Sequence, residues 1–258
     1  MNYHWNWAVF FQISPNYGVS YLQLFLNGVA VTLGLSASSW LIAMASGSAV
    51  GILRTLKIWP VRLLALCYVQ VFRGIPLLVQ MFLWYFILPQ LVPPLKAWAN
   101  DTDAGVVQFT LASICLGLYT SARIAEQVRS GLQALPPGQP AAAAALGMRR
   151  IQAYRYVLLP QTYRIIMPPL TSETMNLIKN TSIALTIGLA EITFRSREMG
   201  ETTFAYFESF TIATFAYIVI ALAANRASAL IEHRLRHQKT ASGPRAGSAA
   251  GHPLASRT

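Results

Sequence analysis

At 258 residues, with 54% hydrophobic and only 11% charged, the chain carries less than half the charge of an average soluble domain, where roughly a quarter of residues are charged. It reads as a membrane protein. Its formal charge of +11 is not gathered into one basic domain; the Lys and Arg residues fall in the gaps between apolar windows, a pattern of loops beside anionic headgroups that argues against a nucleic-acid partner.

The aromatic residues Tyr3, Trp5, Trp7, Phe10 and Phe11 make 1–21 an external segment suited to an interfacial belt or a short surface helix. It lacks the basic start of a secretory signal and a cleavage site, so the first membrane helix is expected to stay in the mature protein. Uncharged windows run over 1–53, 74–95, 104–122 and 209–225, and a helix needs about 20 apolar residues to cross the hydrocarbon. The predicted fold class is an all-α integral membrane protein whose transmembrane domain covers 22–236. Its five helices are expected near 22–52, 63–88, 108–121, 168–192 and 210–230. The first is long enough to tilt or break, and the third is free to extend past Ser121. Trp59-Pro60, Pro89 with Pro93-Pro94, and Pro136-Pro137-Gly138 punctuate the gaps. The tail, 237–258, is mostly Ala, Gly, Ser, Pro and Arg and is too poor in apolar residues to fold.

Lys and Arg near helix ends resist translocation, so the connecting segments give an orientation. Fourteen lie on one side, including Arg54, Lys57, Arg62, Arg123, Arg129, Arg149, Arg150, Arg155 and Arg164; three lie on the other, namely Lys96, Arg195 and Arg197. The N-terminus is therefore expected outside and the C-terminus in the cytoplasm. Cys67 and Cys115 sit in apolar windows as small hydrophobes. Arg195 and Arg197, beside Glu198, Glu201 and Glu208, form a mixed-charge loop that is either solvated or available to an external protein.

The segment 136–161 holds the most specific pattern. Five alanines (141–145) favour helix, Gly147 turns it, and residues 151–159 can form a second short helix before Pro160. By spacing alone this is either a surface hairpin or a docking element. The run GQPAAAAALGMRRIQAYRYVLLPQ resembles the EAA loop of ABC importer permeases, a loop that forms the coupling helix seated in the ATP-hydrolysing subunit. Gly147 matches the family glycine; Ala141 replaces the family glutamate, so no salt bridge or cap from that position is assumed. The resemblance makes Gly138, Gln139, Ala141, Ala142, Ala145, Leu146, Gly147, Arg149 and Arg150 the expected ATPase-coupling residues.

Phe72-Arg73-Gly74-Ile75-Pro76 and Lys179-Asn180-Thr181-Ser182 are similar to segments of the polar amino acid permeases, and PPLTSETMNLIKNTSIALTIGLAEIT is most similar to their glutamate/aspartate branch. The resemblance implies a type I ABC importer permease, multi-pass in a bacterial cytoplasmic (inner) membrane. Its implied partners are separate ABC ATPase subunits, a second permease copy or a paralogue, a periplasmic amino acid-binding protein and membrane lipid. No cofactor is expected on this chain, since ATP and Mg belong to the ATPase.

In the fourth helix, Glu173, Asn176, Lys179 and Asn180 fall within about 120 degrees of arc at about 100 degrees per residue, with Ile178 pointing elsewhere. An ionisable group at mid-membrane costs about 2.5–3.5 kcal/mol on insertion scales, so the polar stripe is expected to face inward. It either lines a substrate pathway or bridges helices. Arg73 could meet an anionic substrate or cap carbonyls freed by a helix break at Gly74-Ile75-Pro76. The sequence has no Gly-x-x-x-x-Gly-Lys-Ser/Thr loop, no His-Glu-x-x-His and no Gly-x-Ser-x-Gly. His4, His233, His237 and His252 lie near the ends, and the chain is not expected to be an enzyme. An ion-driven secondary carrier is the alternative; it would show an inverted repeat, and none is visible.

Overall fold

The computed structural model describes residues 4–240, with side chains as far as Leu230. The expectations for Tyr3, the tail beyond residue 240 and the basic residues and histidines after Leu230 therefore lie outside the described side chains. The described residues are helical apart from loops and one isolated antiparallel bridge, Ile13 to Ser20. After a 3-10 turn at Trp7–Phe11 come α1 (Tyr21–Leu53), α2 (Trp59–Gly74), α3 (Leu77–Phe82), α4 (Leu88–Leu91), α5 (Pro93–Asp101) and α6 (Ala104–Gln133). They are followed by α7 (Gly138–Ala145), α8 (Arg150–Ala153), α9 (Leu159–Asn180), α10 (Ile192–Thr203) and α11 (Tyr206–Thr240). Three of these, α1, α6 and α11, are long and apolar enough to span a membrane unbroken. Two bent pairs raise the number to as many as five if each pair is one span: Trp59–Gly74 with Leu77–Leu91, bent by 103°, and Arg150–Ile187 with Ile192–Thr203, bent by 49°.

The centre of the molecule is the pair α1 and α6. Ser38 Oγ lies 2.8 Å from Ser113 Oγ, Gly117 faces Ile42, Gly47 faces Ile124, and Gly51 faces Val128. Residue numbers rise together on both helices, so the two run parallel. A Cβ on Gly47 would lie 2.8 Å from the Ser121 carbonyl oxygen, and one on Gly51 2.7 Å from Val128 Cβ. Only glycine admits that approach, which suits helices that associate in lipid by close packing of small residues. Antiparallel to this pair runs the bent helix α9–α10: Thr55 meets Tyr154 and Ser48 meets Tyr163 near one end, while the Ile192 N–H donates to Thr32 Oγ1 and Tyr21 meets Thr202 toward the other. The ends are distinct. One carries Arg54, Arg129 and α7; the other carries Trp5, Trp7 and the α10–α11 turn.

Several elements differ from the sequence reading. The third span does not stop at Ser121 but continues to Gln133, because Arg123, Glu126 and Arg129 are paired: Glu126 accepts from both Arg54 and Arg129, and Arg123 lies 3.7 Å from Glu173. The fourth span does not start at residue 168; helix begins at Arg150 and passes Pro160, Pro168 and Pro169. A π turn at Tyr154–Leu158 directly precedes Leu159-Pro160, and another at Leu83–Ile87 precedes Leu88-Pro89. The widened turn absorbs the clash a proline ring makes with the turn before it. Residues 93–101, read as a connection, form α5.

Two acids stand out by burial. Glu191 and Glu208 are both 0% exposed, so Glu208 is not part of a solvated loop. It accepts from the Asn6 backbone N–H at 2.6 Å. Glu191 caps α10, accepting from Phe194 N at 2.8 Å and Thr193 N at 3.0 Å, and takes the Tyr217 hydroxyl at 2.6 Å. Arg195 is not freely solvated either: it pairs with Glu198 at 2.7 Å and lies 4.8 Å from the Tyr17 ring.

Candidate functional site: a charged cavity and a helical loop

The break at Ile75-Pro76 aims Arg73, at the end of α2, into a cavity of about 370 Å³ that it lines with Arg123, Glu126, Gln127 and Glu173. The carbonyls freed at that break are not capped by Arg73. The Gln80 side-chain amide donates to Phe72 O and Ile75 O, each at 2.9 Å, which leaves the guanidinium available to the cavity. Arg123 pairs with Glu173 across α6 and α9. Glu126, drawn toward Arg54 and Arg129, forms the far wall. Two guanidiniums and one loosely paired carboxylate thus face a space large enough for a small zwitterion, and the buried Gln127 Oε1 has no hydrogen-bond partner among the described residues.

The predicted polar stripe is present but turned. Leu177 and Ile178 are buried, whereas Lys179 is exposed and Asn176 and Asn180 are half-buried. Toward Lys179 the stripe therefore leaves this chain's own core, into which Ile178 packs, while Glu173 at its other end lies against Arg123. The angular pattern held the relative placement of the residues, but periodicity carries no information on which side the rest of the chain packs. Of the five pathway candidates, the structure brings Arg73 and Glu173 into one cavity and leaves Asn176, Lys179 and Asn180 outside its lining. Arg123, Glu126 and Gln127 were missed as site residues. The available signal was their position inside a hydrophobic helix of three turns beyond an uncharged window.

The coupling candidates cluster at the basic end. Gly138 opens α7, Ala141, Ala142, Ala145 and Leu146 are exposed on it, and Ala143 turns inward. Gly147 has φ 73°. Its N–H donates to Ala144 O at 2.9 Å and the Met148 N–H to Ala143 O at 3.1 Å, the paired closure that a left-handed residue allows. Gln139 accepts from Gln161 Nε2 at 3.1 Å, tying α7 to the base of α9. Arg149 precedes α8, its backbone N–H bonded to Gln152 Oε1 at 2.8 Å, and Arg150 is exposed at its first position. Leu146 and Ile151 present apolar side chains outward, 77% and 80% exposed. Such a projecting apolar helix-turn-helix needs a cover, because isolated patches of this kind mark interaction sites.

Residues 43–237 match the family described as binding-protein-dependent transport system inner membrane component. The glutamate/aspartate import permease protein GltJ of Escherichia coli K12 is 43% identical over 238 residues, 92% of this chain and 97% of that protein. The arginine transport system permease protein ArtQ of Bacillus subtilis is 31% identical over 83% of this chain and 94% of its own length. Among solved structures, a chain of an amino acid ABC transporter crystallised with histidines superposes with a TM-score of 0.67 at 32% identity, covering 83% of this chain and 95% of that one. The inward-facing MetNI methionine ABC transporter gives 0.69 at 20% identity, 83% and 97%, a likeness of fold alone. The ion-driven carrier alternative is set aside by these findings, and the charged cavity and projecting loop sit in a type I ABC importer permease fold. The chain belongs to the binding-protein-dependent transport system inner membrane components, as a permease subunit of an ABC importer.

Proposed function

We propose that this permease carries acidic amino acids, glutamate and aspartate, inward across the cytoplasmic membrane, with its N-terminus outside and the α7 end in the cytoplasm. The observation that carries the cargo is the 43% identity, over 92% of the chain, to a glutamate/aspartate import permease. The orientation rests on the excess of Lys and Arg at the α7 end. The cavity is consistent with the cargo: Arg73 and Arg123 supply donors for two carboxylates, while Glu173 and the unpartnered Gln127 Oε1 supply acceptors for an ammonium.

The work is shared with other chains. ATP and Mg sit on a pair of ABC ATPase subunits, into which Gly138–Ala145, Leu146 and Gly147 dock with Arg149 and Arg150 beside them. A second permease, identical or paralogous, covers the outward stripe of Asn176, Lys179 and Asn180, and a periplasmic binding protein delivers the amino acid. ATP binding closes the ATPases and favours one opening of the permease pair; nucleotide release favours the other. The Gln139–Gln161 contact passes the displacement of α7 to α9.

The test is ATP-dependent uptake of labelled glutamate into proteoliposomes holding this chain with its ATPase, paired permease and binding protein. The expected result is uptake that competing aspartate suppresses and Gly147→Asp abolishes while the complex still assembles. Gly147 has open space around its missing Cβ, and Asp tolerates left-handed φ better than most residues, so loss of uptake reports docking. Uptake that persists without the ATPase overturns the reading.

A further inference from the structure

A second charged cavity, of about 220 Å³, lies at the α7 end and is lined by Arg54, Arg62, Leu66, Arg129 and Gln133. Its three guanidiniums come from three places in the chain: the cap of α1, the first turn of α2 and the last turns of α6. Glu126 is bonded to two of them, Arg54 and Arg129. Arg62 has no acidic partner among the described residues. The cavity is thus left with two positive charges in excess and no acidic group to meet them among the described residues.

The surface leading from it is apolar. Trp59, Leu63 and Leu66 are 64%, 40% and 36% exposed, and at about 100 degrees per residue they share an arc of about 60 degrees on α2. Arg62 stands beside that stripe. A tryptophan at the headgroup level, a basic pocket between helices and a hydrocarbon track running away from it are the three parts of a lipid site. A free anion would use only the first two.

We propose that this cavity binds the phosphate of an anionic phospholipid, with Trp59 beside the headgroup and the acyl chains leaving along Leu63 and Leu66. The inference rests on the membrane placement of the chain and not on its cargo. A bound lipid would cross-link the ends of α1, α2 and α6 beside the coupling helix, where their relative position matters.

The experiment is native mass spectrometry of the assembled importer titrated with phosphatidylglycerol or phosphatidylcholine, comparing wild type with Arg62→Gln and with Arg155→Gln. Arg155 is an exposed arginine of the same end outside the cavity. The expected result is retention of phosphatidylglycerol over phosphatidylcholine, with a loss of about five-fold in Arg62→Gln, the size expected for one basic contact to an anionic headgroup, and no loss in Arg155→Gln. Equal retention of both lipids overturns the proposal, as does an equal loss in the two variants, which would mark a diffuse charge effect. Displacement of phosphatidylglycerol by inorganic phosphate at comparable concentration also overturns it, since the site would then take the anion without the chains. Glutamate uptake is measured in parallel, so that failure of the cargo reading is seen separately.

Discussion

The α1–α6 seam and the two helix breaks solve opposite problems. The seam holds two helices together by removing side chains, at Gly47, Gly51 and Gly117, so that backbone meets backbone. The breaks between α2 and α3 and between α9 and α10 expose polar backbone at membrane depth, where unsatisfied groups are costly, and each is repaired by one buried side chain. Gln80 donates to two carbonyls at the first, and Glu191 accepts from two N–H groups at the second. Between its glycines the seam is a fixed frame, its polar bonds limited among the described residues to a serine pair and the Arg54–Glu126 ion pair at its end. The breaks are joints whose hydrogen bonds can be traded.

That contrast orders the expected effects of substitution. The seam should be least forgiving: Gly51→Val places atoms against Val128 and the Ala125 carbonyl. Overpacking of this kind costs about 1–3 kcal/mol or more, and we expect a lowered thermal midpoint in detergent together with loss of uptake. A midpoint within a degree of wild type would show that α1 and α6 separate easily and break the distinction. Next is Glu191→Ala, which strips α10 of its cap and removes the carboxylate acceptor of the Tyr217 hydroxyl, leaving it beside Thr193 Oγ1. A loss of about 2 kcal/mol is expected, with Glu191→Gln recovering part of it. Gln80→Leu removes two hydrogen bonds while keeping side-chain volume, and about 1 kcal/mol should appear as destabilisation along with freer motion of α3. A spin label on the exposed Cys67 of α2, paired with a second label on α3, would report that motion; an unchanged distance distribution would count against Gln80 as the joint.

Smaller still is the effect of Gln161→Ala on stability, because its bond to Gln139 is partly exposed. Its expected signature is functional: ATP hydrolysis retained with uptake reduced, whereas equal loss of both would show that α7 simply fails to dock. At the bottom lies Arg197→Ala. The Arg197–Glu201 pair is 57% and 49% exposed, and such pairs contribute less than about 1 kcal/mol, so midpoint and uptake should both be unchanged.

The sequence shows the seam's helices well and the joints poorly, for reasons that can be named. α1 begins and ends within a residue of the expected 22–52, because nothing in that stretch competes with hydrophobicity. How far α6 extends past Ser121 is left open by the sequence, because Arg123, Glu126 and Arg129 look like a loop until their partners Arg54 and Glu173, distant in sequence, are seen. Pro160 suggests a boundary, but the π turn at Tyr154–Leu158 that lets the helix pass it is a backbone adjustment with no residue signature of its own. The same limit applies to the cavity. Arg73 and Glu173 were legible as costly charges, while their meeting at a space shared with Arg123 and Gln127 depends on how α2, α6 and α9 pack.

The parallel course of α1 and α6 also bears on how the chain is made. A parallel partner cannot be the next helix in the chain, so residues 54–103 must be synthesised and laid down before Gly117 emerges to meet Ile42. Until then α1 sits in the membrane with a notched, glycine-lined flank against lipid or the insertion machinery. A nascent chain arrested before residue 117 should therefore hold α1 unassembled, and the moment at which that flank becomes protected marks the step from inserted helices to a folded permease.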